Sequence, residues 1–203
     1  MTRRTLYFFR HGQTDWNLER RLQGHKDIPL NATGLEQAED LSLRCIGLGI
    51  ERVVSSDLAR AAQTARAVTR KLNVPLELTS RLRECNMGEM EGKTLEEFGQ
   101  ELGPERLAEW FGHAATREEL EARLPGGESR GELAQRVLDE VEHVLASRHE
   151  RVIAFSSHGG ALRRALGVLF GEREELQRIA NTALYEISHD MDTGEFVFIG
   201  QVK

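Results

Sequence analysis

Arg10, His11 and Gly12 end a short apolar run, LYFF at residues 6–9, and raise the first chemical question. A cation and an imidazole side by side, with a glycine behind them, have two readings. Either a buried strand surfaces into a polar loop, or a strand end aims both side chains at an anion. Three other places carry related groups. Ser55, Ser56 and Asp57 close a second apolar run, with Arg60 in the next helical turn; Ser157, His158, Gly159 and Gly160 follow VIAFS; Arg83 and Glu84 follow LEL. Singly, each has an ordinary reading: His158 as a loop histidine with a satisfied ring, Glu84 as a solvated carboxylate. Arg60 runs against the helix macrodipole, which favours acidic residues at a helix start.

Together, two arginines, two histidines and one carboxylic acid, with no metal-type set beside them, suit phosphoryl transfer. The transferring group spreads negative charge over its oxygens, and positioned cations stabilise it. The planar guanidinium fork matches phosphate oxygens in pairs. A neutral imidazole can attack phosphorus, and the nitrogen that attacks is set by the hydrogen bond the other one makes. A tight turn after His11, which Gly12 permits, would bring a backbone carbonyl to that second nitrogen. The leaving alkoxide needs a proton from a positioned acid, and a phosphate beside such an acid helps keep it protonated.

Composition is compatible with this chemistry and narrows the rest. A chain of 203 residues can bury a substantial core, and 39% hydrophobic with 30% charged residues is ordinary for a globular protein. A formal net charge of −6 argues against general nucleic-acid binding, so an anion must be held by a local concentration of cations. The two cysteines, Cys45 and Cys85, make neither a metal spacing nor a disulfide framework, and a cytoplasmic setting is expected. The opening MTRRTLYFF is basic then apolar, but it breaks at Arg10 without a cleavage site and is expected to be a first strand, not a leader. No run is long enough to span a membrane.

The elements that must position these residues alternate. Short β-rich runs are expected at 5–9, 51–56, 76–78 and 152–156. Helices are expected from Thr33 to Gly47, from about Leu58 to Leu72 and after Ser129, with another over ALRRALGVLF. Thr33 with Glu36 and Ser129 with Glu132 have the form of capping boxes. TALYEIS and EFVFIGQ flank the turn DMDTG, a hairpin that requires at least one antiparallel strand. The pattern predicts an α/β layer fold, a single domain over 1–203 with a mostly parallel sheet, whose ligands bind beyond the carboxyl ends of the strands. Residues 86–128 are acid-rich and glycine-punctuated, an excursion from the sheet with the character of a lid.

RHGQTDWNLERRLQGHKDIPLNATGLEQA, SSDLARAAQTA, LRECNMGEMEG, PGGES and SSHGG occur in the order of the signature blocks of the histidine phosphatase superfamily, phosphoglycerate mutase-like branch, and the chain resembles that family over nearly its whole length. The resemblance implies an α/β three-layer sandwich around a six-stranded, mainly parallel sheet with one antiparallel strand and a short helical lid. It implies His11 as the phosphorylated nucleophile, Arg10 and Arg60 as phosphate-binding arginines, His158 as the second catalytic histidine contacting phosphoryl oxygens, and Glu84 as proton donor. Asn17, Gln23 and Gly159 resemble residues of the substrate pocket. No metal and no cofactor are implied, and the partner is a small phosphorylated metabolite acted on by a monomer or homodimer.

Water accepting the phosphoryl group gives a phosphatase; a hydroxyl of a bound sugar acid gives a mutase. Mutases of the family resemble one another in longer middle insertions that grip a bisphosphorylated cofactor. Here the segment from Glu84 to PGGES is short, and Lys93, Arg106, Arg117 and Arg123 are scattered among glutamates. A phosphatase is therefore expected, with cofactor-dependent phosphoglycerate mutase as the alternative and a phosphate-binding pseudoenzyme as a third reading. Candidate substrates are phosphoglycerate, sugar phosphates, phosphoserine and a ribazole phosphate. Of Phe98, Trp110 and Phe111, at least two are expected to pin the excursion to the body and the remainder to line the substrate mouth. Cys85, next to Glu84, is read as a structural thiol, with oxidation sensitivity as the alternative.

Overall fold

A computed structural model of the chain describes residues 3–112, 120–171 and 173–203. Six strands, β1 (Arg3–Arg10), β2 (Arg52–Ser56), β3 (Leu76–Thr79), β4 (Val152–Ser157), β5 (Leu184–Asp190) and β6 (Phe196–Val202), form one sheet in the order β3-β2-β4-β1-β5-β6. β1, β2, β3 and β4 are mutually parallel. β5 runs antiparallel to β1 and to β6, so it is the one reversed strand and β6 returns to the common direction.

Two-residue periodicity divides the core. Leu6 and Phe8 of β1 face one side with Val54, Ile153 and Phe155, whereas Tyr7 and Phe9 face the other with Val53 and Ala154. On the first side lie α6 (Arg130–Ser147), through Leu133, Val137, Val141 and Val144, and α7 (Gly159–Phe170), through Ala161, Leu162, Ala165 and Leu166. On the second, α2 (Ala32–Arg44) contributes Leu41, and α3 (Ala59–Leu72) contributes Ala65 and Val68. The result is three layers. Being covered on both faces explains why β1 and β4 read as continuous apolar runs. Phe8 stacks on Phe155 at 5.0 Å between ring centres; burial of each such side chain contributes about 1.5–3 kcal/mol.

The helix starts need one correction. α2 begins at Ala32, and its cap is Asn31, whose side chain accepts from the Gly34 N–H at 2.8 Å. Thr33 therefore lies inside the first turn, and the Thr33–Glu36 box does not form. The start is drawn back because Gly34 must meet the loop after His11: a Cβ on Gly34 would stand 2.0 Å from the Gln13 carbonyl oxygen, and one on Gly12 2.4 Å from that of Gly34. The Ser129–Glu132 box does form, with reciprocal hydrogen bonds of 2.7 and 3.1 Å. A box absent from the expectations, Thr14 with Asn17, caps the short helix α1 (Asp15–Leu18).

Two further helices, α4 (Leu95–Leu102) and α5 (Pro104–Phe111), lie in the excursion. Phe98 and Trp110 are buried in the core, while Phe111 stays 40% exposed. Buried Arg164 of α7 fastens the end of α5 by donating to the Trp110 carbonyl at 2.8 Å and the Gly112 carbonyl at 3.0 Å. A last short helix, α8 (Glu174–Gln177), precedes β5. Among the described residues no helix is long and apolar enough to cross a membrane.

Candidate active site

Strand order places the chemistry. β4 inserts between β1 and β2, and the ends of all three strands bring Arg10, Ser157 and Ser56 to one edge. The His11 backbone is held on three sides. Its N–H donates to the Ser157 carbonyl at 3.1 Å, and its carbonyl accepts from Asn181 Nδ2 at 3.0 Å. The next N–H, of Gly12, donates to Thr64 Oγ1 at 3.0 Å.

The His11 ring lies 2.6 Å through Nδ1 from the Gly12 carbonyl oxygen. A carbonyl only accepts, so the proton sits on Nδ1 and the lone pair belongs to Nε2. His11 is 3% exposed. Burial, then Arg10 and Arg60, hold its pKa well below the usual 6.5, against a smaller opposing effect of the Gly12 hydrogen bond. At neutral pH it is an uncharged imidazole with a defined tautomer.

Two guanidinium groups flank it. Arg10 donates to the Ile179 carbonyl at 2.7 Å, and its Nε is buried without a protein partner. Arg60 is fully buried and donates to the carbonyls of Gly24 and Lys26, each at 2.8 Å, and through Nε to His158 Nδ1 at 3.2 Å. Burial lowers the Arg60 pKa to about 10, which leaves it cationic at neutral pH. An arginine in a helix's first turn is thus drawn inward, away from the position that would oppose the macrodipole at the surface.

Because His158 Nδ1 accepts from Arg60, Nε2 carries the proton and donates to Ser56 Oγ at 2.8 Å. Its ring centre is 5.2 Å from that of His11, and burial, then Arg60, keep it neutral. Both ring nitrogens are engaged, and His158 stands behind Arg60 instead of on the cavity wall. Glu84 enters from the opposite side. Its carboxylate accepts from its neighbour Cys85's N–H at 2.9 Å and from Gly160 N–H, in the first turn of α7, at 2.9 Å. A Cβ at Gly160 would stand 2.5 Å from that carboxylate and would displace it.

A cavity of about 240 Å³ is bounded by Arg10, His11, Asn17, Gln23, Arg60, Glu84 and Gly159, with Phe111 and Arg163 also on its wall. Every residue expected at the site except His158 lines it. Asn17 also caps α1, and the buried Gln23 Oε1 has no protein partner. Of the three aromatic candidates only Phe111 reaches the wall. Arg83, adjacent to Glu84, is held instead by a two-point pairing with Asp57 at 2.6 and 2.7 Å.

Sequence reasoning passed over the groups that hold Glu84 in place. Arg136 of α6 donates to the carbonyls of Arg81 at 2.6 Å and Glu84 at 3.3 Å and pairs with Glu128 at 2.7 Å; His25 Nε2 donates to the Glu84 carbonyl at 2.9 Å. Glu128 belongs to the PGGES block, which was the available signal. Cys85 is buried, and burial with the nearby carboxylates raises its thiol pKa above the ordinary range, in keeping with a structural thiol. Among the described residues, no three His, Cys, Asp or Glu side chains are grouped as a metal site.

Known proteins resemble the chain in sequence and fold. A family model described as Histidine phosphatase superfamily (branch 1) matches residues 6–201. A relative from Salmonella paratyphi B named Probable phosphoglycerate mutase GpmB is 33% identical over 187 residues, covering 91% of this chain and 84% of its own. The solved mycobacterial glucosyl-3-phosphoglycerate phosphatase superposes with a TM-score of 0.85 at 25% identity, over 98% of this chain and 99% of that one. The alpha-ribazole phosphatase from Shigella flexneri gives 0.80 at 25% identity, over 98% and 96%.

Proposed function

The chain belongs to the histidine phosphatase superfamily, and from that premise we propose that it hydrolyses a small phosphomonoester through a phosphohistidine at His11, with no metal ion. The observation that carries this reading is the 2.6 Å contact between His11 Nδ1 and the Gly12 carbonyl in a buried, neutral ring, which leaves Nε2 free on the cavity wall.

In the first step Nε2 bonds to phosphorus as the ester P–O bond breaks. Arg10 and Arg60 hold the phosphoryl oxygens, supplying the charge that a metal supplies elsewhere. Glu84, protonated for this step, gives its proton to the departing alkoxide. In the second step the Glu84 carboxylate takes a proton from water as the water oxygen attacks phosphorus. The N–P bond breaks, and inorganic phosphate and neutral His11 are restored. His158 acts through Arg60, whose Nε it orients, and its role toward the phosphoryl oxygens is one of positioning.

Trapping tests this directly. Rapid quenching under alkaline conditions, in the presence of chelator and a generic aryl phosphate, should yield an acid-labile adduct on the peptide that contains His11. His11→Ala should abolish both adduct and turnover. An adduct elsewhere, or near-normal turnover by the variant, overturns the assignment.

Mutase activity is the second reading, favoured by the relative named Probable phosphoglycerate mutase GpmB. The cations of the excursion do not support it. Lys93 pairs with Glu101, and Arg123 pairs with Glu132 at 3.0 Å, while Arg117 lies outside the described residues. Incubation with 3-phosphoglycerate, with and without 2,3-bisphosphoglycerate, separates the two: free phosphate marks a phosphatase, and isomer without phosphate marks a mutase.

A further inference from the structure

Beside the catalytic cavity lies a second one of about 400 Å³, between the end of α5, the outer face of α7 and α8. Phe111, Arg163 and Gln177 line both, so the two spaces share a wall. Among the described residues, the second is lined by three arginines, Arg163, Arg173 and Arg178, and by no carboxylate. None of the three forms an ion pair or a side-chain hydrogen bond among the described residues. Several other arginines around the molecule are paired: Arg52 with Glu150, Arg83 with Asp57, Arg123 with Glu132, Arg136 with Glu128, Arg148 with Glu77.

Three guanidinium groups thus line one cavity of a chain of net charge −6, and no described side chain neutralises them. Two of them are also constrained. Arg163 is half-buried on α7, one turn from Gly159 and Gly160. The Arg173 guanidinium lies 4.8 Å above the Phe198 ring and 5.9 Å from that of Phe170, contacts that fix its direction without neutralising it. Arg178 precedes Ile179, whose carbonyl receives the Arg10 hydrogen bond, and its charge is felt at Arg10. Arg178 thus lines the second cavity and adds positive charge near Arg10.

We propose that the second cavity is an anion subsite, and that the substrate is a phosphomonoester of an organic acid whose carboxylate reaches Arg163, Arg173 and Arg178 while its phosphate sits at His11. This rests on the phosphatase reading for the position of the phosphate. Guanidinium groups recognise carboxylates through paired, charge-assisted hydrogen bonds, and a bound carboxylate would supply the counter-charge they lack. Phe111 stands at the passage shared by the two spaces, where the carbon chain between the two anions must run.

Two measurements test it. The first compares kcat/KM for 3-phosphoglycerate with that for glycerol 3-phosphate, which replaces the carboxylate by a neutral alcohol. The native chain should prefer the acid by about tenfold or more, and the Arg173→Gln, Arg178→Gln double variant should lose most of that ratio. Turnover of both esters with no preference, or an unchanged ratio in the variant, overturns the subsite and leaves the phosphatase reading standing. The second is independent of turnover: calorimetric binding of 3-phosphonopropanoate and 5-phosphonopentanoate against alkylphosphonates of matched length. Tighter binding of at least one carboxylated member, lost in the double variant, supports the subsite even if no ester is hydrolysed. Equal binding throughout overturns it. If inorganic phosphate competes with the carboxylated ligands only at the His11 cavity, the second anion is a carboxylate; if two phosphates bind, with the second lost in the double variant, the subsite serves anions generally and the assignment to an organic acid fails.

Discussion

Residue types go furthest where chemistry is local. His11 and Gly12 are neighbours, so the hydrogen bond that sets the tautomer is available from the sequence alone, and it forms. His158 is different. Its type and its place after a strand are legible, but its engagement by Arg60 and Ser56 brings together residues 98 and 102 positions away. Two outcomes belong at this scale. Because burial and two arginines depress its pKa, the His11 ring should stay neutral, with the proton on Nδ1, from pH 8 down through 6.5. Nitrogen NMR of the ring checks this, and protonation near 6.5 would refute it. Glu84→Gln should slow esters with poor leaving groups by about 10²–10⁴-fold and activated aryl esters much less, because only the former need the proton. A rate series across leaving groups reads the difference, and equal loss throughout would remove Glu84 from the acid role.

At the level of elements, the central strands and long helices are readable because their patterns are strong: β1 and β4 are apolar on both faces, and α6 carries a complete capping box. The start of α2 is not readable from periodicity. Thr33–Glu36 has the right spacing, yet Asn31 caps, because the packing of Gly34 against the loop after His11 decides the matter. That contact yields a measurable consequence. Gly34→Ala puts a Cβ 2.0 Å from a backbone oxygen, which no rotamer change relieves. Destabilisation of about 1–3 kcal/mol is expected, together with slower turnover, since the same loop carries His11. Urea unfolding and kcat measured on the same preparation check both. The choice of Phe111 over Phe98 and Trp110 at the cavity wall was likewise open in the sequence: three aromatic residues in two short helices look alike until the helices are docked.

For the molecule as a whole, topology is what makes a site of these parts. No spacing in the sequence states that β4 lies between β1 and β2, or that α7 and α8 collect three arginines; both follow from crossovers and packing over long separations. A global property follows too. His11 and His158 are both held neutral by burial, with folded-state pKa values well below 6.5. As pH falls below 6.5 the unfolded chain takes up protons that the folded chain refuses. Stability is therefore complete above that point and declines below it, by about 1.4 kcal/mol per pH unit for each ring. Urea midpoints at pH 7.5 and 5.5 should show the fall, and a His11→Asn, His158→Asn double variant should show a flatter profile. An equally steep loss in that variant would assign the effect to other groups.

Helix α7 carries three of these contacts at once. Gly160 meets the Glu84 carboxylate, Arg163 faces both cavities, and Arg164 grips the carbonyls of Trp110 and Gly112, all within two turns of one helix. These functions share an angular phase. A single residue inserted after Leu162 would swing both arginines by about 100° while Gly160 stayed in place, disconnecting the doorway from the reaction centre. Across descendants of this chain, α7 should thus keep its residue count, and changes of substrate length should be absorbed in the connections at its far end.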